Sequence, residues 1–191
     1  LVVSAVADEP LLELPGSFFT LQEDHFLLIE QIMASLTDTD GSETLSLVLK
    51  SNSVKFRHVI FNGIEAKANE VENSFSYLLT NATNSSVTGR LQILPPMHYS
   101  GILNFDITVH VIDSANGLQH LAEKTETIYV SVVGVADAPF LEASLVKNIL
   151  LEDEGVPAQI EISNVSLSDK SEHLSLELFT TSEGLISIKY E

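Results

Sequence analysis

Gly101-Ile102-Leu103-Asn104-Phe105-Asp106-Ile107-Thr108-Val109-His110-Val111-Ile112-Asp113 alternates almost without a break. Leu103, Phe105, Ile107, Val109 and Val111 fall on one side, and Asn104, Asp106, Thr108 and His110 on the other. A period of two belongs to a strand with one face in a core and one in water. Working outward, Thr44–Lys50 repeats the pattern with Leu45, Leu47 and Leu49, and Glu126–Val133 continues it with Ile128, Val130 and Val132. Shorter candidates are Phe18–Leu21, Leu27–Ala34, Lys55–Phe61, Ser74–Leu79 and Gly89–Leu94. Turn chemistry separates them at Pro15-Gly16, Asp40-Gly41, Asn62-Gly63, Asn81–Ser86 (a long polar loop), Pro95-Pro96 and Asn116-Gly117. No long amphipathic helix is visible, and Asn69–Ser76 has room for a turn or two at most. Seven or eight short strands in about 130 residues predict an all-β fold, an antiparallel β-sandwich.

Leu94-Pro95-Pro96-Met97-His98-Tyr99-Ser100 leads into the strongest strand. A tyrosine at that entry matches the tyrosine corner of Ig-like sandwiches, whose hydroxyl bonds back to nearby backbone. The chain also repeats itself. Val135-Ala136-Asp137-Ala138-Pro139 echoes Val6-Ala7-Asp8-Glu9-Pro10, identical at four of five positions and 129 residues later. At the same offset Leu12-Glu13 returns as Leu141-Glu142, Glu23-Asp24 as Glu152-Asp153, and Glu43 with Leu45 as Glu172 with Leu174. Leu36-Thr37-Asp38 returns as Leu167-Ser168-Asp169 at an offset of 131, so the acidic loop is two residues shorter in the second copy. A period this long marks whole domains in tandem rather than solenoid turns. The expected organisation is the end of a preceding module at 1–9, a complete sandwich at 10–138, and the opening of a following, truncated module at 139–191.

Composition narrows the function. Hydrophobic residues make up 45% of the chain and charged residues 19%, enough for a core and too little charge for a disordered polyelectrolyte. No apolar run reaches the roughly 18–20 residues of a membrane-spanning helix. Nine basic and 27 acidic residues give a net charge of −18, which argues against nucleic acid and suits divalent cations or solubility. With no cysteine, disulfides and thiolate zinc sites are excluded.

The best ligand candidate is Leu36-Thr37-Asp38-Thr39-Asp40-Gly41-Ser42-Glu43. Calcium takes six to eight hard oxygens, and an Asp-x-Asp-Gly turn offers two carboxylates on one tight loop. It is not an EF-hand, because Glu43 stands where that loop needs glycine and Leu49 where it needs glutamate. Other segments must therefore complete a shell: Glu23, Asp24 and the linker aspartate Asp8 at the first junction, and Glu152, Asp153, Asp137 and Asp169 at the next. Asp113, ending the strongest strand, is expected to face Asp137. The second copy reads Ser168-Asp169-Lys170-Ser171-Glu172, without a second aspartate or glycine, which predicts a weaker site or one that uses Glu172 differently. Against this stands the plain alternative that Asp, Gly and Ser are turn formers and caps in any β-protein.

Together, the Val-Ala-Asp-Ala-Pro linker, the Glu-Asp pair, the Leu-x-Asp-x-Asp-Gly-Ser-Glu loop and Pro-Pro-x-x-Tyr-Ser-Gly resemble the tandem cadherin-like (bacterial Ig-like) repeats of large RTX-type adhesins and surface proteins. The resemblance covers essentially the whole chain, with no single motif specific. It implies an extracellular or cell-surface stalk with calcium at its junctions, neighbouring repeats of the same chain as partners, and a cell-surface protein or glycan as adhesive partner. The alternative is a module whose loops bind carbohydrate or protein without calcium; scarce loop aromatics and the lack of tryptophan disfavour it. An enzyme is not expected. The six histidines show no HExxH spacing, and neither a Gly-x-Ser-x-Gly elbow nor a Gly-rich phosphate loop is present. Asn81-Ala82-Thr83, Asn84-Ser85-Ser86 and Asn164-Val165-Ser166 have the form of N-glycosylation sequons.

Overall fold

The alternating run from Gly101 is a single fifteen-residue strand, Gly101–Ala115, in a computed structural model that describes residues 6–38, 41–82, 85–115, 118–145, 160–167 and 172–177. The chain divides between Val135 and Ala136. The first unit holds β1 (Leu11–Glu13), β2 (Phe18–Gln22), β3 (Leu27–Ser35), β4 (Glu43–Ser51), β5 (His58–Phe61), β6 (Ile64–Glu65), β7 (Ala68–Val71), β8 (Ser74–Ala82), β9 (Ser86–Leu94), β10 (Gly101–Ala115) and β11 (Leu118–Val133). Two sheets face each other, ordered β1-β3-β9-β5-β6 and β2-β11-β10-β4-β8-β7. The all-β, Ig-like sandwich is thus the fold of this unit. No helix among the described residues is long and apolar enough to cross a membrane.

The inner faces are those the alternation specifies. Leu45, Leu47, Leu49, Phe105, Ile107, Val109, Val111, Ile128 and Val130 from one sheet meet Ile29, Ile32, Val59, Phe61, Leu91 and Ile93 from the other, all buried. In β3 the alternation breaks at Glu30-Gln31, where a bulge opposite β9 keeps Ile29 and Ile32 both inward. Phe56 closes one side of the core, edge-on to Phe105 and donating its backbone N–H to the Tyr77 hydroxyl at 2.9 Å. Gly89 is required by packing: a Cβ there would stand 2.0 Å from the buried Phe61 ring. Gly89→Ala is therefore expected to destabilise the unit by about 1–3 kcal/mol in chemical unfolding, the usual cost of overpacking.

Several expectations need correction. The sandwich is not wholly antiparallel, because β2 runs parallel to β11. β1 and β2 are one edge segment that changes sheets across Leu14–Ser17, and Pro15, lacking an N–H, breaks its ladder there. β11 begins at Leu118 rather than Glu126, since the long β10 supplies a register partner for every residue back to Ala115↔Leu118. Asn69–Ser76 is not helical, as expected, but it is more ordered than a turn. It is a hairpin whose two-residue turn places Glu72 and Asn73 at φ of 48° and 65°. Asn81 and Ala82 belong to the end of β8, and Ser86 opens β9, so both ends of the expected loop are strand. Tyr99 does use its hydroxyl on backbone, but on Ile102 O at 3.0 Å, three residues downstream rather than upstream.

In the second unit, β12 (Phe140–Leu145) pairs with β13 (Ile160–Ser166). The pairs Phe140↔Ser166, Leu141↔Val165 and Glu142↔Asn164 reproduce Leu11↔Ser35, Leu12↔Ala34 and Glu13↔Met33 at the repeat offsets.

Candidate cation-binding pole

At one pole of the first unit, acidic residues occupy positions that the strand period assigns to the core. Glu43 has the inward phase of Leu45, Leu47 and Leu49, and Asp113 that of Val109 and Val111. The two face each other as a register pair across β4 and β10. Both are buried, Glu43 4% exposed and Asp113 5%. Glu43 Oε1 accepts the backbone N–H of Asp8 at 3.1 Å. Neither Glu43 Oε2 nor Asp113 Oδ1 has a hydrogen-bond partner among the described residues. An unpartnered carboxylate oxygen in such a place is costly.

Asp38, at the end of the segment leaving β3, and Asp8 complete the group. Burial pushes the Glu43 carboxyl above the ordinary carboxylate range; the Asp8 N–H bond pulls it down, while the charges of Asp38, Asp8 and Asp113 push it further up. The entering linker is tied to this pole by further bonds: Thr37 Oγ1 donates to Glu9 O at 3.3 Å, and Lys124 Nζ to Glu9 Oε1 at 2.9 Å. Among the described residues no three Asp, Glu or His side chains are already arranged to hold a metal ion. The pole is instead a group of carboxylates of like charge, buried at Glu43 and Asp113, half-buried at Asp38 and exposed at Asp8. Its donors are all hard oxygens, which fits calcium and not a thiolate or imidazole metal.

The expected ligands divide between two poles. Asp8, Asp38 and Asp113 meet here, around Glu43. Glu23 and Asp24 lie at the opposite end, beside the exit of β11, where Glu23 N–H donates to Val133 O at 3.0 Å. Gly101, which opens β10 at that end opposite Val132, is twelve residues from Asp113, roughly 40 Å of strand. Asp113 therefore sits at the pole of Asp8 and Glu43, at the other end of β10 from Glu23 and Asp24. Glu23 is 4% exposed; its Oε1 accepts the Val135 N–H at 2.5 Å, and its Oε2 has no partner among the described residues. Asp24 is occupied otherwise: its Oδ1 lies 3.4 Å from both Arg57 Nη1 and the His98 N–H. In the second unit Asp137 N–H donates to Glu172 Oε1 at 2.6 Å, the bond of Asp8 and Glu43 repeated 129 residues on. Asp40, Glu152, Asp153 and Asp169 lie outside the described residues.

Glu43 closes the expected acidic stretch without being singled out as a ligand, yet it is the centre of the group. Its signal was the strand phase: an acid where the pattern demands a leucine.

No protein-family model matches the chain, and no curated protein is detectably similar to it. Among solved structures, the chain is similar to AggA, the major subunit of aggregative adherence fimbriae type I from Escherichia coli, with a TM-score of 0.40 and 11% identity over 69% of this chain and 100% of that one. It is similar also to the CooA pilin subunit of enterotoxigenic Escherichia coli, with a TM-score of 0.33 and 13% identity over 66% of this chain and 99% of that one. A PapD-like domain of human CEP192 follows, with a TM-score of 0.32 and 8% identity over 70% and 92%. Likenesses this remote carry no functional argument.

Proposed function

We propose that the chain is a non-enzymatic structural or adhesive module of an extracellular or cell-surface protein, a cadherin-like repeat stiffened by calcium where the linker enters. The observation that carries this reading is the pair of buried, unpartnered carboxylate oxygens on Glu43 and Asp113 beside the linker aspartate Asp8. Glu43, Asp113, Asp8 and Asp38 would hold the ion, and Asp137 with Glu172 are the corresponding residues of the second unit. Bound calcium would neutralise the converging charges and tie the linker to the sandwich. The protein's own contribution is to bring four chain segments to one edge: the linker, the end of β3, and the facing ends of β4 and β10. The repeated linker, register and Glu-to-N–H bond support neighbouring repeats of the same chain as its first partners.

Thermal unfolding of the 191-residue chain tests the reading. An ion binding only the folded state adds about 2.7 kcal/mol at a hundredfold excess over Kd. Calcium is expected to raise the melting temperature by several degrees relative to chelator, and Asp113→Asn to abolish the shift. Identical melts with calcium and chelator in the wild-type chain would remove calcium from the account.

A further inference from the structure

The ion is not the only thing that fixes the linkers. Three glutamates make one and the same contact. Glu43 Oε1 accepts the N–H of Asp8, Glu23 Oε1 that of Val135, and Glu172 Oε1 that of Asp137. In each, the other carboxylate oxygen is buried and has no partner among the described residues. All three amides belong to the repeated Val-Ala-Asp-x-Pro segment.

We propose that Glu23, Glu43 and Glu172 are linker clasps: positioning residues that hold the chain segments entering and leaving the sandwich whether or not an ion is bound. An N–H donated to a buried carboxylate is a charge-assisted bond, about twice as strong as a neutral one. A linker N–H left to water would gain nothing comparable. The clasp uses one oxygen of each carboxylate, so it does not compete with an ion for the other. Glu23 belongs to the first unit and Glu172 to the second, and each holds its amide within its own unit. Between the two clasped amides the chain has one residue, Ala136. The linker is thereby ordered before any metal arrives, and an ion's task is reduced to relieving charge.

The inference does not depend on calcium, and its test is done in chelator. Amide hydrogen exchange is measured on the 191-residue chain, on Glu43→Gln and on Glu43→Leu, with β10 and β11 amides reporting the integrity of the core. In the chelated wild-type chain the Asp8, Val135 and Asp137 amides should exchange at least about tenfold more slowly than unprotected amides, as a charge-assisted bond implies. Glu43→Gln keeps an acceptor oxygen and should retain protection at Asp8, although it loses the charge an ion needs. Glu43→Leu should lose that protection while Val135 and the core keep theirs. Unprotected Asp8, Val135 and Asp137 amides in the chelated wild-type chain would overturn the clasp, as would undiminished protection of Asp8 in Glu43→Leu. The wild-type measurement decides the matter alone if the leucine variant fails to fold. A calcium response with no clasp, or a clasp with no calcium response, separates the two readings.

Discussion

Phe105→Ala lowers the stability of the first unit by about 3–5 kcal/mol, the range for truncating a buried phenylalanine to alanine. The ring belongs to the fifth residue of β10 and is 2% exposed, with Phe56 edge-on at a centroid distance of 5.6 Å. Neighbouring strands pair with β10 on both sides, so the sheet cannot close over the hole by sliding. Truncation therefore loses the transfer energy of the ring and leaves a cavity, and Phe56 loses its edge-on aromatic contact while keeping the one with Tyr77. Urea unfolding measures the change. A loss below about 1 kcal/mol would mean that β10 does not carry the centre of the core.

The double variant Glu43→Gln with Asp113→Asn changes stability with a sign set by the cation. In chelator at neutral pH it should be more stable than the wild-type chain, by an amount on the order of 2–4 kcal/mol, because two buried charges that face each other are removed. In saturating calcium the order should reverse, since only the wild-type chain can bind the ion. Chemical unfolding under both conditions reads the crossover, and an unchanged ranking would refute it.

The pH dependence of the wild-type chain follows the same logic. Burial first, then Asp38, Asp8 and Asp113, raise the Glu43 pKa above its ordinary value of 4.5. A carboxyl whose folded pKa is raised binds its proton more tightly in the folded state. Its stabilising contribution is fully present below the unfolded value and is lost as pH rises through the folded one. In chelator, the Glu43 contribution should therefore grow as pH falls from neutrality toward 4.5. With calcium the trend should invert, because protons then compete with the ion. Melts across that window, with and without calcium, check both slopes, with Glu43→Gln as the control that removes the contribution.

Much of this was legible in the residues, for identifiable reasons. The core of β4, β10 and the second half of β11 was readable because one face is apolar and the other polar for several periods. The Asn62-Gly63 turn was readable as well; its φ values of 50° and 81° are those that Asn and Gly tolerate. The Glu72-Asn73 turn was not, because glutamate rarely adopts φ of 48° and does so where the β7–β8 ladder requires it. Residues 118–125 carry no clean alternation, with Leu121 63% exposed, and are strand only because β10 is there to pair with them. Acidic residues could be listed as ligand candidates, but their grouping could not. Glu23 and Asp24 precede the acidic loop in the sequence, and the nine-residue β3 carries the chain away from them.

The sequence by itself determined the strand period, the apolar faces and the 129-residue repeat of linker and acidic positions, because those properties depend on neighbours along the chain. Only the tertiary structure decided the parallel placement of β2 and the change of sheets at Pro15. It also decided that Glu43 rather than Asp24 shares a pole with Asp8, Asp38 and Asp113. The reason is physical: strand pairing matches residues by register rather than by sequence separation. A carboxylate's partner is then set by which strand ends arrive together, and the alternation encodes which side a residue faces but not what it meets there.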